Sequence, residues 1–314
     1  MYDRTYKLGR EDEQLYIREL LQRRLRFSSR LMRRLKVEGG VYLNGEPARF
    51  RQKGVSGDVL QVLFPEEASY FEPEKIPLTI AYEDEDLLVV DKQPGLVIHP
   101  TKNYQSGTLA NALAYRMQQL GQSYKIRFVN RLDRDTSGLV IVAKNAHSQK
   151  HIADQMQSSQ LRKYYIAIVH GQPPDCEGTI DLPIAKDPGH AARRKVMADG
   201  LPSVTNYRVL ERFDATDGRV AGYAVLRLEL VTGRTHQIRV HLAHRGLPIA
   251  GDELYGSLFG YDQKCERIGR QALHACELTF LQPTSGEMLH IASDMPGDME
   301  MCIRGLRSDS VAQP

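Results

Sequence analysis

Asn130-Arg131-Leu132-Asp133-Arg134-Asp135-Thr136-Ser137-Gly138 leads directly into Leu139-Val140-Ile141-Val142-Ala143. The second half is a short unbroken apolar run after a Thr-Ser-Gly turn, the pattern of a buried strand. The first half sets the Asp133 carboxylate between Arg131 and Arg134, in a turn that feeds the core. A carboxylate anchored in that way, with fixed cations beside it, is expected to stay ionised and to hold one position. Those are the properties of a nucleophile.

The composition is that of an ordinary globular chain: 314 residues, 41% hydrophobic, 26% charged, formal net charge +3. That length holds two domains. No apolar run approaches the roughly 20 residues needed to span a bilayer. The start, Met1-Tyr2-Asp3-Arg4-Thr5, lacks the apolar core of a secretory signal, so a cytoplasmic location and no membrane partner are expected. Cys176, Cys265, Cys276 and Cys302 are scattered, which argues against a disulfide framework and a cysteine-rich zinc site. The charge is uneven. Residues 18–53 carry eleven cations against Glu19, Glu38 and Glu46, a local excess of +8, which leaves −5 on the remainder. A basic module joined to a mildly acidic body points to a grip on a polyanion.

Ile17, Leu20, Leu21 and Leu25 recur at helical spacing, which predicts a helix over 12–26. Ser28 or Ser29 is placed to cap a second short helix that buries Leu31 and Leu35 and turns Arg30, Arg33 and Arg34 to solvent. Val41–Leu43, an Asn44-Gly45 turn and a strand at Val59–Leu63 complete a small α/β unit over 12–64. The acidic, proline-bearing segment 65–77 reads as a linker that lets two domains reorient. The body, 78–304, alternates strands (Ile80–Tyr82, Leu87–Val90, Tyr164–Val169, 204–211, 222–231) with helices at Thr108–Leu120 and 146–158. The fold class expected is α+β, a mixed and mostly antiparallel sheet with flanking helices, followed by a tail over 305–314.

The Asp133 segment resembles the catalytic motif of the RluA-type pseudouridine synthases, His-Arg-Leu-Asp-x-x-Thr-Ser-Gly. Asn130 stands where the family has His, which keeps a polar side chain but removes a titratable one. Arg162-Lys163-Tyr164-Tyr165-Ile166-Ala167-Ile168-Val169-His170-Gly171 resembles the second family motif, with the family tyrosine on Tyr165. Thr232-Gly233-Arg234-Thr235-His236-Gln237-Ile238-Arg239 resembles the third, a strand running through a turn into a helix that Thr235 is placed to cap. Gly251-Asp252-Glu253-Leu254-Tyr255-Gly256 also fits the family pattern and is expected to shape the adjacent loop. Leu273-His274-Ala275 resembles the last motif. Residues 29–62 resemble the alpha-L RNA-binding domain of a ribosomal small-subunit protein. Together the resemblances cover about residues 15–304.

They imply a pseudouridine synthase fold and an isomerase of RNA uridines. The catalytic set would be Asp133, Tyr165 and Arg239, with Arg239 paired to Asp133 and Tyr165 stacked on the uracil. Leu273 would pack beneath the base and Arg131 fill the gap it leaves. Arg234, Arg30, Arg33, Arg34 and Lys36 would contact phosphates. Isomerisation needs neither redox nor group transfer, so no cofactor is expected. RNA is the expected partner, large-subunit ribosomal RNA ahead of transfer RNA, and the chain is expected to act as a monomer. His236, His241 and His244 are spaced by five and three, which does not suit a metal site. Two other classes fit part of the pattern. Asp133-Arg134-Asp135-Thr136 fits the Asp-x-Asp-x-Thr signature of haloacid-dehalogenase-type phosphatases, but Asn130-Arg131 interrupt the strand that signature requires. A non-catalytic RNA-binding assembly factor would keep the fold without needing Asp133.

Overall fold

The computed structural model describes residues 3–64, 69–101, 104–215, 222–260 and 268–311. Near the N-terminus, β1 (Asp3–Lys7), β2 (Val41–Leu43), β3 (Glu46–Pro47) and β4 (Val59–Leu63) form an antiparallel sheet in the order β1-β4-β2-β3. β1 lies outside the expected start of the module at residue 12 and pairs along its whole length with β4. The helix expected over 12–26 is shorter and irregular: α1 spans Ile17–Glu19 and continues as a wide π-type turn over Leu20–Arg24. Asp12 is the reason. Its carboxylate is fully buried and accepts from Gly9 N–H, Tyr6 Oη and Arg24 Nε at 3.0, 2.7 and 2.8 Å. This cross-link confines residues 10–12 to a single 3-10 turn and keeps one continuous helix from running through to Ile17. The helical spacing nonetheless marks the buried side correctly, since Ile17, Leu20, Leu21 and Leu25 share one core with Leu31, Leu35, Leu60 and Val62. α2 (Ser29–Glu38) is capped by Ser28, whose hydroxyl accepts from Leu31 N–H at 3.2 Å. Arg30, Arg33 and Lys36 on α2 are exposed. Arg34, expected in solvent, is half-buried and donates to Glu38 at 2.9 Å.

The body is built on one large sheet in the order β10-β13-β14-β9-β15-β8-β6-β5. Its strands are β5 (Thr79–Glu83), β6 (Leu87–Lys92), β8 (Ser137–Ala143), β9 (Arg162–His170), β10 (Glu177–Asp181), β13 (Val204–Phe213), β14 (Tyr223–Leu230) and β15 (Leu273–Leu281). β7 (Arg127–Phe128) pairs with β8, β16 (Met288–Ala292) pairs with β15, and β11 (Ile184–Lys186) with β12 (Arg194–Val196) forms a separate ribbon. All pairings are antiparallel except β8 with β15, which meet in parallel at Ser137–His274 and Gly138–Ala275. Gly138 makes that seam possible: it has φ +107°, and a Cβ there would lie 2.2 Å from Ala275 O.

β8 is apolar on both faces because helices cover both. Leu139 and Ile141 pack with Ile152 of α4 (Ala146–Gln157), while Val140 and Val142 pack with Leu109 and Leu113 of α3 (Leu109–Gln119). The other half of the sheet packs Ala167, Ile168 and Leu226 with Ile238 and Leu242 of α5 (Gln237–His244). A short α6 (Glu253–Gly256) follows, and α7 (Gly297–Val311) closes the chain. The expected tail is therefore helix as far as Val311, and Leu306 is 4% exposed in the same core as Met299 and Ile303. The expected linker is also corrected. Residues 65–68 lie outside the described residues, but Phe71 and Ile76 pack on the core under α3, and Asn111 Nδ2 donates to Glu72 O at 2.8 Å. The second half of the segment is thus fastened to the body. Among the described residues no helix is long and apolar enough to cross a membrane.

Candidate active site

The loop from β7 to β8 carries Asp133, and three supports fix its path. Thr136 N–H closes a turn on Asp133 O at 3.2 Å. Asn130, 9% exposed, donates to Leu139 O and accepts from Ile141 N–H at 3.1 and 2.7 Å, so its amide locks the loop to β8. That is a purely hydrogen-bonding role, needing one donor and one acceptor, and a neutral imidazole also has one of each. From below, Lys92 at the end of β6 donates to Gln93 O and Arg134 O, both at 2.9 Å. It is 1% exposed, and burial pushes its pKa down to about 7 against the opposing charge of Asp135.

From the opposite side comes α5. Thr235 does not cap it. His236 takes the cap position with φ 57°, and Gln237 closes the turn instead, its Oε1 accepting from Thr232 Oγ1 and Arg234 N–H at 2.8 and 3.0 Å. This winding turns Arg239 inward, where it is 7% exposed. Arg239 Nη1 donates to Asp133 Oδ2 at 2.9 Å, while its Nε and Nη2 grip both oxygens of Asp252 at 2.7 Å each. Burial alone works against the Arg239 charge. The Asp252 and then the Asp133 carboxylates outweigh it and hold its pKa above the ordinary arginine value. Asp252 in turn caps α6 through Leu254 and Tyr255 N–H. His236 Nε2 approaches Asp133 Oδ2 at 3.8 Å, and its Nδ1 is hydrogen-bonded with Tyr255 Oη at 3.0 Å.

A cavity of about 60 Å³ opens beside Asp133, lined also by Tyr165, Leu273, Arg131, Arg234 and His236. Tyr165 on β9 and Leu273 on β15 come from neighbouring strands, in which Tyr165 pairs with Ala275 and Leu273 with Ala167. The structure therefore brings Asp133, Tyr165, Arg239, Arg131, Leu273 and Arg234 to one place. Arg131 and Arg234 are exposed at its edge, with Arg234 Nε donating to Pro202 O at 3.3 Å. Arg30, Arg33, Arg34 and Lys36 are elsewhere, on α2. Arg33 and Lys36 line a separate groove with Arg18, Arg23 and Phe50.

A family model described as RNA pseudouridylate synthase matches residues 86–244, a span that contains the whole Asp133–Arg239 pair. The chain belongs to the RNA pseudouridine synthase family. It is 38% identical over 291 residues to the ribosomal large subunit pseudouridine synthase D of Xanthomonas campestris, covering 90% of this chain and 85% of that one. It is 37% identical over 284 residues to an RNA pseudouridine synthase of Bacillus subtilis, covering 90% and 96%. Among solved structures, human RNA pseudouridylate synthase domain containing 1 superposes with a TM-score of 0.55 at 27% identity, over 76% of this chain and 96% of that one. The RluA-type assignment and the α+β synthase fold stand, the enzyme is an isomerase acting on RNA, and the phosphatase reading falls.

In this synthase the buried Tyr165 hydroxyl has its pKa pushed well up, by burial first and by the Asp133 charge second, so it stays protonated and can donate but not act as a base. Burial lowers the pKa of His236 against the pull of Asp133, which favours neutral imidazole beside the carboxylate. Four supporting residues have no catalytic or binding role in the sequence reading: Asp252 and Tyr255, expected only to shape a loop, and Lys92 and His236. Two had legible signals. Asp252 sits one position before a short helix, and Lys92 ends the apolar run Leu87–Val90 just ahead of Gln93-Pro94-Gly95. Among the described residues no group of three or more His, Cys, Asp or Glu side chains is gathered as a metal site would require.

Proposed function

We propose that this synthase isomerises uridines of large-subunit ribosomal RNA, with Asp133 as the nucleophile. The observation that carries the reading is the Asp133 carboxylate, 28% exposed at its side chain, held by a buried arginine at the mouth of a pocket lined by an aromatic and an aliphatic side chain. The N1–C1′ bond of uridine breaks, the base turns, and C5 takes the place of N1 on the sugar. The C5 proton is lost and N1 gains one, so atoms balance without any added group. The Asp133 carboxylate attacks either the sugar C1′, displacing N1 with its bonding pair, or a carbon of the uracil ring, and in both routes its bond to the fragment breaks again by the time the product forms. Tyr165 stacks on the loose uracil, worth about 1–3 kcal/mol, and Leu273 packs beneath it. A stacked uridine cannot reach Asp133, so the target is everted, at a cost of a few kcal/mol. Arg131 fills the gap it leaves, and Arg234 binds phosphate.

Residues 3–64 act as an alpha-L RNA-binding domain, in which Arg30, Arg33, Arg34 and Lys36 supply sequence-independent phosphate contacts. Ribosomal RNA is favoured over transfer RNA by the relatives, several of which are named as large-subunit ribosomal synthases. The synthase works as a monomer in the cytoplasm. Pseudouridine mapping of total RNA from cells with and without the gene tests the substrate. Loss of one or more sites in large-subunit RNA is expected, and a loss confined to transfer RNA would overturn the choice.

A further inference from the structure

The pocket beside Asp133 is continuous, through Arg131, Asp133, Tyr165, Arg234 and His236, with a cleft of about 660 Å³. Lys163 lines that cleft. The residue is 5% exposed, its Nζ reaches solvent, and among the described residues no hydrogen-bond or carboxylate partner meets that atom. Burial alone pushes its pKa down to about 8. An ammonium carried on a buried stem to the wall of an open cleft is placed to meet an anion that enters it. Lys92, the other buried lysine of this region, has two carbonyl acceptors within 2.9 Å; Lys163 has none.

Its position supplies the explanation. Lys163 and Tyr165 are two residues apart on β9, so they project from the same face, about 7 Å apart along the strand. The Lys163 ammonium lies against the turn before α5, where a Cβ on Gly233 would be 3.6 Å from Nζ. Arg131, Arg194 and Arg234 line the same cleft, and Asp133 is its only carboxylate among the described residues. Four cations face one acid that Arg239 already engages. A polyanion threading this cleft, with one base stacked on Tyr165, would carry its backbone past Lys163.

We propose that Lys163 is a phosphate-binding residue, gripping the RNA backbone at a nucleotide next to the everted uridine. The inference rests on the site reading above and adds to it a specific contact. Nothing in the catalytic step uses Lys163. The incoming phosphate supplies the missing counter-charge, so the residue acts on strand placement rather than on the reacting atoms.

The test uses the full chain and a transcript that the wild type modifies, in single-turnover reactions at several salt concentrations. Lys163→Met should raise the half-saturating RNA concentration about 10-fold and lower the slope of log affinity against log salt by about 1. The rate at saturating RNA should stay within about threefold, and Lys163→Arg should restore most of the affinity. Replacing single phosphates around the target by methylphosphonates should reveal one position whose neutralisation weakens wild type about 10-fold and Lys163→Met no further. The unfolding midpoint of Lys163→Met should not drop below wild type, because no hydrogen bond or ion pair within the protein is lost and the apolar stem is kept. Unchanged affinity and slope would overturn the inference and leave Lys163 a core residue. A fall in the saturating rate with affinity intact would overturn it too, by moving the ammonium to the reacting atoms. If Lys163→Met does not fold, the methylphosphonate scan on wild type decides, and the absence of any sensitive phosphate beside the target sinks the idea. An Asp133→Asn variant that still isomerised uridine would instead bring down the site reading, and this inference with it.

Discussion

Behind Asp133 the cation that meets it is buried and answered: Arg239 is 7% exposed, with one carboxylate at 2.9 Å and a second gripped by two bonds of 2.7 Å. Along α2 of the N-terminal module the cations Arg30, Arg33 and Lys36 stand in solvent. The difference separates two uses of charge. Buried, cross-braced charge fixes one atom in one place, which chemistry needs. Exposed charge has no fixed geometry and gives affinity for any polyanion, strongly screened by salt. One region should therefore govern rate and the other binding.

The sharpest way to break this division is Asp133→Asn. The rate at saturating RNA should fall by at least about 10⁴-fold while RNA affinity stays within about twofold. Comparable losses in both would erase the distinction. Asp252→Ala tests the bracing rather than the nucleophile. It leaves Arg239 buried with one partner and uncaps α6, so unfolding should become easier by about 3–5 kcal/mol and the rate should drop about 10²-fold as Asp133 loses its fixed direction. Thermal unfolding and single-turnover kinetics read the two effects separately.

On the other side of the comparison, replacing Arg30, Arg33 and Lys36 together by Gln should weaken RNA binding about 10-fold or more. It should also lower the slope of log affinity against log salt by about 2, with the saturating rate unchanged. A slower saturating rate would mean that the module shapes the chemistry as well.

A separate effect, on stability alone, is expected where the two regions meet. Arg4 Nη1 donates to His147 Nε2 at 2.6 Å, and Phe27 meets the same imidazole edge-on. Only neutral His147 can accept that bond. Burial first and the Arg4 charge next push its pKa down to about 3. A histidine depressed in the folded state costs stability as pH falls below its ordinary value of about 6.5, because the unfolded chain takes up the proton first. Going from pH 7 to pH 5 should therefore cost about 2 kcal/mol, and His147→Gln should abolish that part of the dependence. Equal losses in wild type and variant, read by denaturant unfolding at both pH values, would remove His147 from the account.

Much of the active pocket was legible because its residues lie in short motifs with local signatures. Asp133, Tyr165, Arg239 and Leu273 each sit beside an apolar run or a glycine turn, and the structure places all four around one cavity. What was not legible depends on through-space partners. Asp252 reads as a loop residue until α5 turns Arg239 toward it. The helix drawn over 12–26 failed because Asp12 gathers Tyr6, Gly9 and Arg24, and no periodicity reports such a hub. The segment after residue 68 looked like a tether because its prolines and acids hide Phe71 and Ile76, whose burial follows only from where α3 lies.

The parallel seam at Gly138 has a consequence for the order of events in synthesis. Asp133 leaves the ribosome long before Leu273, and the pairing of β8 with β15 joins residues 137 positions apart. A nascent chain folding from its N-terminus completes its basic module early, yet lacks the Leu273 wall of the pocket until β15 emerges. On the roles proposed above, an unfinished copy clings to RNA but does not alter it.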